Sequence, residues 1–531
     1  MPVISIELDE LRKLIGRELS LELFLEKIPM MGASIERVEE NKIDVEFFPN
    51  RPDLYSVEGV ARALRSFLGY EKFKNYNVET SDVKLIVEHE VERIRPFILC
   101  GLVKEVELDY KAIQSIMSLQ EKLHNTIGRK RRKASIGLHD FDKVKQPFIY
   151  KAVEPEEISF IPLGEKEKMN LKEILIKNDK GREFGYIVQS FDKYPIILDS
   201  EENVLSFPPI INGIITTVSE ETKNIFIDCT GNDISSITQC LNIIATALAE
   251  RNGKIYSVET VYDKIKYVTP DLKQKKTILR KKDVNKALEL ELEEEEIADC
   301  LKKMMYGVIL QEKYVEVFTP RFRFDIIHPI DLIEDVAIGY GYDILKPTLS
   351  KEVTFGEALE NEEKIEKIKE LMLGIGFNEV NTFSLSNEEF SIFNPTKIMN
   401  PVSKEYGILR TSLIPSLLNV LKENKHRELP QKIFEIGDVV INGKNEKNFA
   451  FVIAHSKASF TEAKSVVNAL IRELSFELKI EVGKRVGYID GRCASLVKNK
   501  NNIGYFGEIH PELLSKFELI NPTVGFEMCI K

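Results

Sequence analysis

Long apolar runs, paired cysteines and grouped histidines are all missing from this sequence, and each absence excludes a class of protein. No apolar run approaches the roughly 18 residues of a membrane-spanning helix, which predicts a protein outside the membrane. The six cysteines are Cys100, Cys229, Cys240, Cys300, Cys493 and Cys529. They are scattered and form no Cys-x-x-Cys pair, which argues against a zinc site and a disulfide framework. The seven histidines likewise show no His-Glu-x-x-His or similar ligand spacing.

The familiar nucleotide and nucleophile motifs are missing as well. There is no G-x-x-x-x-G-K-[ST] loop, no strand-associated G-x-G-x-x-G and no G-x-S-x-G elbow. A reactive site in this chain would therefore be built from other polar residues.

Length and composition predict a folded protein of several domains. With 531 residues, and about 150 per domain, three or four domains are expected. Apolar residues make up 43 % of the chain and charged residues 30 %, as is usual for soluble domains. The N-terminal segment carries Glu7, Asp9 and Glu10 where a secretory signal would be basic and then apolar, so we expect a cytoplasmic protein.

The net charge of −11 limits how the chain can bind nucleic acid. Because phosphate neutralisation drives most of that affinity, an acidic chain would need a local basic surface or a partner. The one dense basic run is Arg129–Lys133. Two interpretations stay open for it: a solvated loop between a helix and a strand, or a contact with RNA or another subunit.

Two parts of the chain show the same order of predicted elements. The first has helices over 9–15, 20–30 and 56–68 and a strand over 43–48, with a turn at 49–53. The second has a helix over 293–305, a strand over 314–318, a turn at 320–325 and a helix over 331–340. Aligning Val45 with Val315, Glu58 with Glu334 and Gly69 with Gly341 predicts an internal duplication of about 60 residues.

The remaining sequence predicts a multi-domain α+β chain. Between the two copies lies a strand-rich block, over about 85–265, that ends in a helix with one apolar face over 233–250. Its predicted strands are 97–106, 136–138, 196–198, 214–218 and 225–227. A last block begins near Phe355 with a charged helix over 361–373.

Four carboxylates form the first candidate site. Asp331, Glu334 and Asp335 share one helix face, and Asp325 lies in the preceding turn. Several carboxylate oxygens suit a hard cation such as Mg²⁺. The alternative is that Asp331-x-x-Glu334 is a capping box at the positive end of a helix.

The second candidate site is Asp228-Cys-Thr-Gly231, predicted to connect a strand to the helix over 233–250. Polar groups at such a junction often face a ligand: Asp228 could bind a hydroxyl or a water, and Thr230 could support it. The alternative is that Thr230 and Asp233 cap the helix. Upstream, Ser206 opens a stiff Pro-Pro loop that forms either a pocket wall or a simple turn.

Seven stretches in order resemble one protein family, the β subunits of phenylalanyl-tRNA synthetase of archaeal and eukaryotic type. They are Phe48–Arg62, Arg129–Asp142, Leu205–Asn212, Phe226–Gly231, Pro320–Asp325, Asp331–Tyr342 and Leu409–Leu418. Each stretch alone is weak, but the ordered set is specific and covers nearly the whole chain.

The resemblance implies a domain plan. An N-terminal domain over 1–84 would precede a strand-rich editing domain over 85–268 and a small winged-helix-like domain over 269–348. The last domain, over 349–531, would be a class II synthetase-like antiparallel-sheet domain without activity. The residues agree, because no terminal Gly-rich Glu-Arg motif is present to hold ATP phosphates. Arg410 would then serve packing or a subunit contact.

The resemblance also implies a function. Two such chains would assemble with two α subunits, which bind ATP and phenylalanine and activate the amino acid, and the assembly would bind phenylalanine tRNA. Asp228 and Thr230, and less securely Ser206, match the family's pocket for hydrolysing tyrosine wrongly attached to that tRNA. Asp325, Asp331, Glu334 and Asp335 match its Mg²⁺ positions. Two alternatives remain: a non-enzymatic tRNA-binding scaffold and a free-standing tRNA deacylase.

Overall fold

The computed structural model describes residues 2–71, 73–349, 354–391 and 393–530. The chain divides into two compact units, Met1–Thr348 and Leu349–Lys531. None of the helices in the described ranges is both long and apolar enough to cross a membrane.

The first unit opens with a small sheet and three helices. In chain order these are β1 (Val3–Glu7), α1 (Leu8–Ile15), α2 (Leu21–Lys27), β2 (Ala33–Glu39), β3 (Lys42–Phe47) and α3 (Val57–Phe67). Ser20 accepts a hydrogen bond from the Leu23 amide and Ser56 accepts one from the Gly59 amide, so each serine caps the helix that follows. The three predicted helices and the predicted strand are therefore present. Strands β1 and β2 were not predicted.

A strand-rich region follows. Its strands are β4 (Val78–Glu79), β5 (Lys84–Val87), β6 (Phe97–Lys104), β7 (Ala134–Asp140), β8 (Phe148–Val153), β9 (Ser159–Phe160), β10 (Met169–Asn170), β11 (Tyr194–Leu198), β12 (Val204–Phe207), β13 (Ile211–Asn212), β14 (Ile225–Gly231), β15 (Lys254–Val261) and β16 (Lys266–Thr269). Its helices are α4 (Tyr110–Asn125), α5 (Leu171–Lys177), α6 (Asp179–Phe184) and α7 (Ile234–Ala249).

Most of these strands form one 11-stranded sheet with the order β13-β12-β11-β8-β5-β15-β6-β14-β7, to which β4 and β16 add through β15. One face of β14 (Ile225 and Ile227) lies in the same apolar core as Ile237 and Leu241 of α7. Phe226, on the opposite face, packs in a separate core with Phe148. The alternation of β14 thus places its even-numbered side chains on the face away from α7.

One prediction in this region is wrong, and a second places the end of a strand too early. Residues 214–218 do not form a strand: Ile214–Thr216 is a 3₁₀ turn, after which the Thr217 hydroxyl donates to the carbonyl of Ile214. The strand predicted over 225–227 continues to Gly231, because β14 pairs with both β6 and β7 over its whole length. Asp228 and Thr230 therefore lie inside a central strand, not in a strand–helix turn.

The unit ends with a second small sheet. Its elements are β17 (Lys275–Arg280), α8 (Lys281–Leu288), α9 (Glu294–Lys303), β18 (Gly307–Leu310), β19 (Tyr314–Thr319) and α10 (Pro329–Tyr340). The strand order β17-β19-β18 repeats the order β1-β3-β2, and both sheets are antiparallel with the same sequence of helices between strands. The two copies thus run from Val3 to Phe67 and from Lys275 to Tyr340, close to the predicted length, and each includes a first strand that was not predicted.

The structure also corrects the register of the duplication. In each copy an arginine binds the carboxylate two residues ahead of it through two hydrogen bonds, Arg51 to Asp53 and Arg323 to Asp325. The numbering offset that aligns Arg51 with Arg323 also aligns Gly69 with Gly341, as predicted. It aligns Val45 with Val317, two residues beyond the predicted partner, so the strand keeps its buried face.

The second unit contains an antiparallel sheet between two layers of helices. Its elements are α11 (Glu360–Gly374), β20 (Asn378–Glu379), β21 (Leu385–Ser386), β22 (Ile408–Leu409), α12 (Ile414–Glu423), β23 (Gln431–Ile441), β24 (Lys444–Ala454), α13 (Phe460–Glu473), β25 (Lys479–Val482), β26 (Tyr488–Lys498), β27 (Asn501–Ile509), α14 (Pro511–Lys516) and β28 (Thr523–Cys529). The main sheet has the order β20-β23-β24-β28-β27-β26-β25, and only the short β20 pairs in parallel. Helix α11 confirms the predicted charged helix.

Arg410 has a packing role in this unit. Its guanidinium is buried and donates to the Glu435 carboxylate at 2.8 Å and to the Thr382 hydroxyl at 2.7 Å. A charge enclosed in this way is already satisfied. Within the described part of the second unit, this favours packing over a ligand contact for Arg410.

Candidate active site

A cavity of about 450 Å³ opens in the first unit between α4, β7 and the β12–β13 hairpin. Much of its wall is apolar, with side chains that include Met117, Ile136, Leu138 and Phe207. The polar lining includes Ser206, Asn212, Thr216 and Asp228. A mostly apolar cavity with a few converging polar groups is the usual form of a small-molecule site.

Asp228 lies at the base of this cavity and is almost completely buried. One of its carboxylate oxygens, Oδ2, lies 2.7 Å from His139 Nε2, and His139 Nδ1 lies 2.8 Å from the Thr216 hydroxyl. His139 is the hydrogen-bond partner of the Asp228 side chain within the described ranges. The carboxylate is therefore held on one side and available to the cavity on the other.

The hydrogen-bond directions follow from the chemistry of the ring. A neutral imidazole carries one N–H, so if Nε2–H donates to Asp228, then Nδ1 must accept from the Thr216 hydroxyl. In this arrangement the Asp228 carboxylate accepts one hydrogen bond from His139 and can accept a further one from a ligand. This arrangement gives His139 the role of orienting the carboxylate.

Gly137 explains how a carboxylate fits at this point of the sheet. It is paired directly with Asp228 across β7 and β14. A Cβ atom at Gly137 would lie 2.0 Å from Asp228 Oδ2 and 2.7 Å from His139 Nε2. Glycine is therefore required here, because any side chain would displace the Asp228–His139 pair.

Ser206 contributes an unsatisfied hydroxyl to the cavity wall. It lies in β12, is 3 % exposed, and its Oγ has no hydrogen-bond partner within the described structure. A buried hydroxyl without a partner costs about 1–3 kcal/mol, so a polar ligand would relieve it. The Pro208–Pro209 peptide bond after Ser206 is cis, and both prolines line the cavity.

Thr230 lies two residues further along β14 and does not line the cavity. Its hydroxyl accepts a hydrogen bond from Arg95 Nε at 2.8 Å and lies 2.9 Å from the Ser135 hydroxyl. Arg95 is fully enclosed, and burial lowers its pKa to about 10. The structure thus places Thr230 in a network that holds β14 to β7, and not at the cap of α7.

Arg131 closes one wall of the cavity. Its guanidinium donates to the carbonyls of Pro209 and Ile210 and to the Glu121 carboxylate. Burial alone would raise the pKa of Glu121, but its hydrogen bond to His124 and the charge of Arg131 lower it to about 2. This part of the basic run is therefore structural.

Sequence reasoning missed His139, Gly137 and Arg95 as parts of the site. His139 and Gly137 stand within the family-like stretch Arg129–Asp142, but no spacing links them to Asp228, which lies 89 residues from His139. The alternation of Gly137 and His139 on one strand face was the available signal.

The four acidic residues near α10 do not converge on one point. Arg323 donates to Asp325 through two hydrogen bonds of 2.9 and 2.7 Å and to Asp335 at 2.7 Å, and the Tyr306 hydroxyl also bonds to Asp335. Asp331 Oδ2 accepts from the backbone amides of Ile327 and His328 at 2.8 and 2.7 Å. It therefore forms the capping box with His328, not with Glu334.

This arrangement does not fit a bound Mg²⁺. Within residues 2–71, 73–349, 354–391 and 393–530, no group of three or more His, Cys, Asp or Glu side chains is arranged to hold a metal ion. A cation would have to displace Arg323, whose charge already compensates Asp325 and Asp335. The magnesium assignment stays a prediction, and the geometry favours the capping and ion-pair roles.

We expect Glu334→Ala to leave the metal content of the purified chain equal to that of the wild type, because Glu334 makes no common site with the other three carboxylates. The measurement is magnesium content after equilibration with MgCl₂ and desalting, with Glu312→Ala, in an exposed loop, as the matched control. A selective loss of magnesium in the Glu334 variant would restore the metal assignment.

Curated relatives match the chain from end to end. A protein from Archaeoglobus fulgidus named "Phenylalanine--tRNA ligase beta subunit" is 44 % identical, over 99 % of this chain and 98 % of its own length. Relatives of the same name from Methanosarcina barkeri and Methanocaldococcus jannaschii are 44 % and 43 % identical, the latter over 100 % of both chains. The chain belongs to the phenylalanine–tRNA ligase β-subunit family.

Family models divide this β-subunit sequence into three matched segments. Residues 108–274 match the B3/4 domain, residues 277–342 the tRNA synthetase B5 domain, and residues 345–530 the phenylalanyl tRNA synthetase beta chain CLM domain. The cavity with Asp228 and His139 falls in the first segment, and the acidic residues near α10 fall in the second.

The fold is also similar to a solved β-subunit structure. An N-terminal fragment of the phenylalanyl-tRNA synthetase β-subunit from Pyrococcus horikoshii is 41 % identical and covers 64 % of this chain and 99 % of the fragment, with a TM-score of 0.62. This likeness supports the multi-domain α+β architecture. The boundaries at 84/85 and 268/269 and the winged-helix and class II descriptions stay predictions.

Proposed function

We propose that this chain is the non-activating subunit of a phenylalanine–tRNA ligase. It would assemble with an α subunit, as two of each chain, and bind phenylalanine tRNA, while ATP and phenylalanine bind on the α subunit. The names of the full-length relatives support the ligase role. The lack of a phosphate-binding arginine motif in the last 60 or so residues supports activation elsewhere.

We further propose that the cavity hydrolyses tyrosine wrongly attached to phenylalanine tRNA. The observation that carries this proposal is the Asp228 carboxylate, fixed by His139 at the base of a mainly apolar cavity. An aromatic ring suits the apolar wall, and a phenol hydroxyl at the ring's end suits a carboxylate acceptor. The roles of Ser206 and Thr230 are part of the same proposal.

Discrimination against phenylalanine follows from the same pair. A phenylalanine ring would enter the cavity but give Asp228 no donor in addition to His139, at a cost of about 1–3 kcal/mol relative to tyrosine. That energy corresponds to roughly ten- to hundredfold selectivity. Phe-tRNA, the correct product, would therefore be hydrolysed more slowly, because phenylalanine has no hydroxyl to donate to Asp228.

Hydrolysis itself requires a water to attack the ester carbonyl and a proton to reach the ribose oxygen that leaves. Ser206 supplies the one buried cavity hydroxyl without a partner in the described structure, so it is the side chain best suited to hold that water or the ester. Thr230 would act indirectly, since it binds Arg95 and holds the strand that carries Asp228. His139 would orient Asp228 and not activate a nucleophile.

We expect the chain alone to give no phenylalanine-dependent ATP–pyrophosphate exchange and the assembly with its α subunit to hydrolyse Tyr-tRNA. The measurements are pyrophosphate exchange and release of tyrosine from mischarged tRNA, with Phe-tRNA as the matched control. Exchange by the chain alone would contradict the non-activating role. An assembly that charges phenylalanine but never releases tyrosine would favour the scaffold, and full hydrolysis by the chain without any partner would favour the free-standing deacylase.

A further inference from the structure

The loop Arg129–Lys133, here called the cationic loop, connects α4 to β7 and borders the cavity through Arg131. Arg129, Lys130 and Arg132 are exposed, whereas Arg131 is buried. We propose that the cationic loop binds backbone phosphates of the RNA whose aminoacylated 3′ end enters the cavity. This inference rests on the proposed function and extends it to a substrate-binding surface.

The backbone of the cationic loop is fixed from inside the protein. Arg95 donates to the carbonyls of Arg131 and Arg132 at 3.1 and 3.3 Å. The Arg131 amide donates to the His124 carbonyl at 3.2 Å, and the Lys133 amide donates to the Gly128 carbonyl at 2.8 Å. The exposed cations thus extend from a rigid support, which lowers the entropy lost when they bind a ligand.

The conformation of the loop is unusual for the residues it contains. Arg129, Lys130 and Arg131 have φ angles of 47°, 54° and 64°, in the left-handed region that favours glycine. Three such residues in succession persist only where the surroundings impose them, and strain of this kind is typical of functional loops. If the loop only connected α4 to β7, glycine or asparagine at these three positions would remove the backbone strain.

The exposed cations are not neutralised by the protein. Lys133 lies 3.4 Å from an Asp233 carboxylate oxygen, and Arg131 lies 2.5 Å from one of Glu121. Across the described ranges, Arg129, Lys130 and Arg132 form no ion pair. Three uncompensated positive charges beside the cavity of a chain with net charge −11 favour a polyanion at this point.

Geometry favours RNA over an acidic protein as that polyanion. An aminoacyl group can reach Asp228 only if the nucleotides that carry it lie across the cavity rim. Arg131 and Lys180 line the cavity, so the adjoining phosphates would pass beside the cationic loop. An acidic surface of a partner subunit is the alternative that the experiment must separate.

The test is an Arg129→Gln, Lys130→Gln and Arg132→Gln triple variant in the assembly with the α subunit. Its matched control carries Lys145→Gln, Lys254→Gln and Lys264→Gln, which removes the same charge from exposed lysines of the strand-rich region. For the cationic-loop variant we expect kcat/KM for Tyr-tRNA hydrolysis to fall about tenfold at low salt, with the rate at saturating substrate within twofold of wild type. The slope of log kcat/KM against log salt should become shallower by about 2, as three lost contacts to single-stranded phosphates predict.

Each other outcome is informative. If kcat/KM and the salt slope of the cationic-loop variant equal those of the control variant, the inference is overturned. If the cationic-loop variant no longer co-purifies with the α subunit, the loop contacts that subunit and not RNA. If the wild-type assembly does not hydrolyse Tyr-tRNA, the editing proposal fails by itself. Equilibrium binding of uncharged phenylalanine tRNA then decides the inference: a shallower salt slope in the variant supports it, and an unchanged slope overturns it.

Discussion

Replacing Asp228 with alanine should lower Tyr-tRNA hydrolysis by the assembled ligase about ten- to hundredfold and leave phenylalanine charging within about twofold of wild type. The reason is that Asp228 is the buried acceptor at the base of the cavity, whereas charging is proposed to take place on the α subunit. The measurement is the rate of tyrosine release from mischarged tRNA beside the rate of phenylalanine attachment. Unchanged release in a folded variant would reduce Asp228 to a structural residue of β14.

Two further variants separate recognition from folding. Asp199 is also a buried carboxylate of the strand-rich region, but it binds the backbone amides of Lys145 and Asn203 and does not line the cavity. Asp199→Ala should therefore destabilise the region without the selective loss of tyrosine release. Gly137→Ala should reproduce the Asp228 effect, because the added Cβ would lie 2.0 Å from Oδ2 and displace the carboxylate.

Replacing Arg323 with leucine should lower the stability of the first unit by about 3–5 kcal/mol. Burial would lower the pKa of Arg323, but Asp335, Tyr306 and Asp325 raise it well above its usual value, so the guanidinium is charged. Its removal leaves two carboxylates close together without a counter-charge. The measurement is the urea midpoint for unfolding of the first unit within the whole chain.

Arg321→Leu is the matched control for this stability prediction. Its side chain is 41 % exposed and lies 3.8 Å from Asp271, a surface pair that contributes at most about 1 kcal/mol. Equal midpoints for the two variants would show that Arg323 does not compensate the acidic residues. Recovery of the Arg323 variant on addition of MgCl₂ would mean that these carboxylates can take a metal once the arginine is gone.

The sequence identified the candidate site only in part. Asp228 and Ser206 do line one cavity, and the ordered stretches that named the family contained both. Thr230 was predicted as a residue of the same site, but it does not line the cavity and its hydroxyl binds Arg95. The metal site near α10 was predicted partly from the helical spacing of its carboxylates. That spacing cannot show that Arg323, in the preceding turn, lies between Asp325 and Asp335.

The sequence by itself was enough to predict helices α3, α7 and α11, the multi-domain α+β class and the family. Amphipathic periodicity, helix caps and the order of motifs can all be recognised without knowing which distant residues come into contact. The tertiary structure decided which polar groups meet. Strand β14 runs on to Gly231 because two neighbours pair with its whole length, and that pairing sets Asp228 opposite Gly137 and diagonal to His139. Contacts between residues 89 positions apart depend on strand register, which long-range packing fixes and no local spacing encodes.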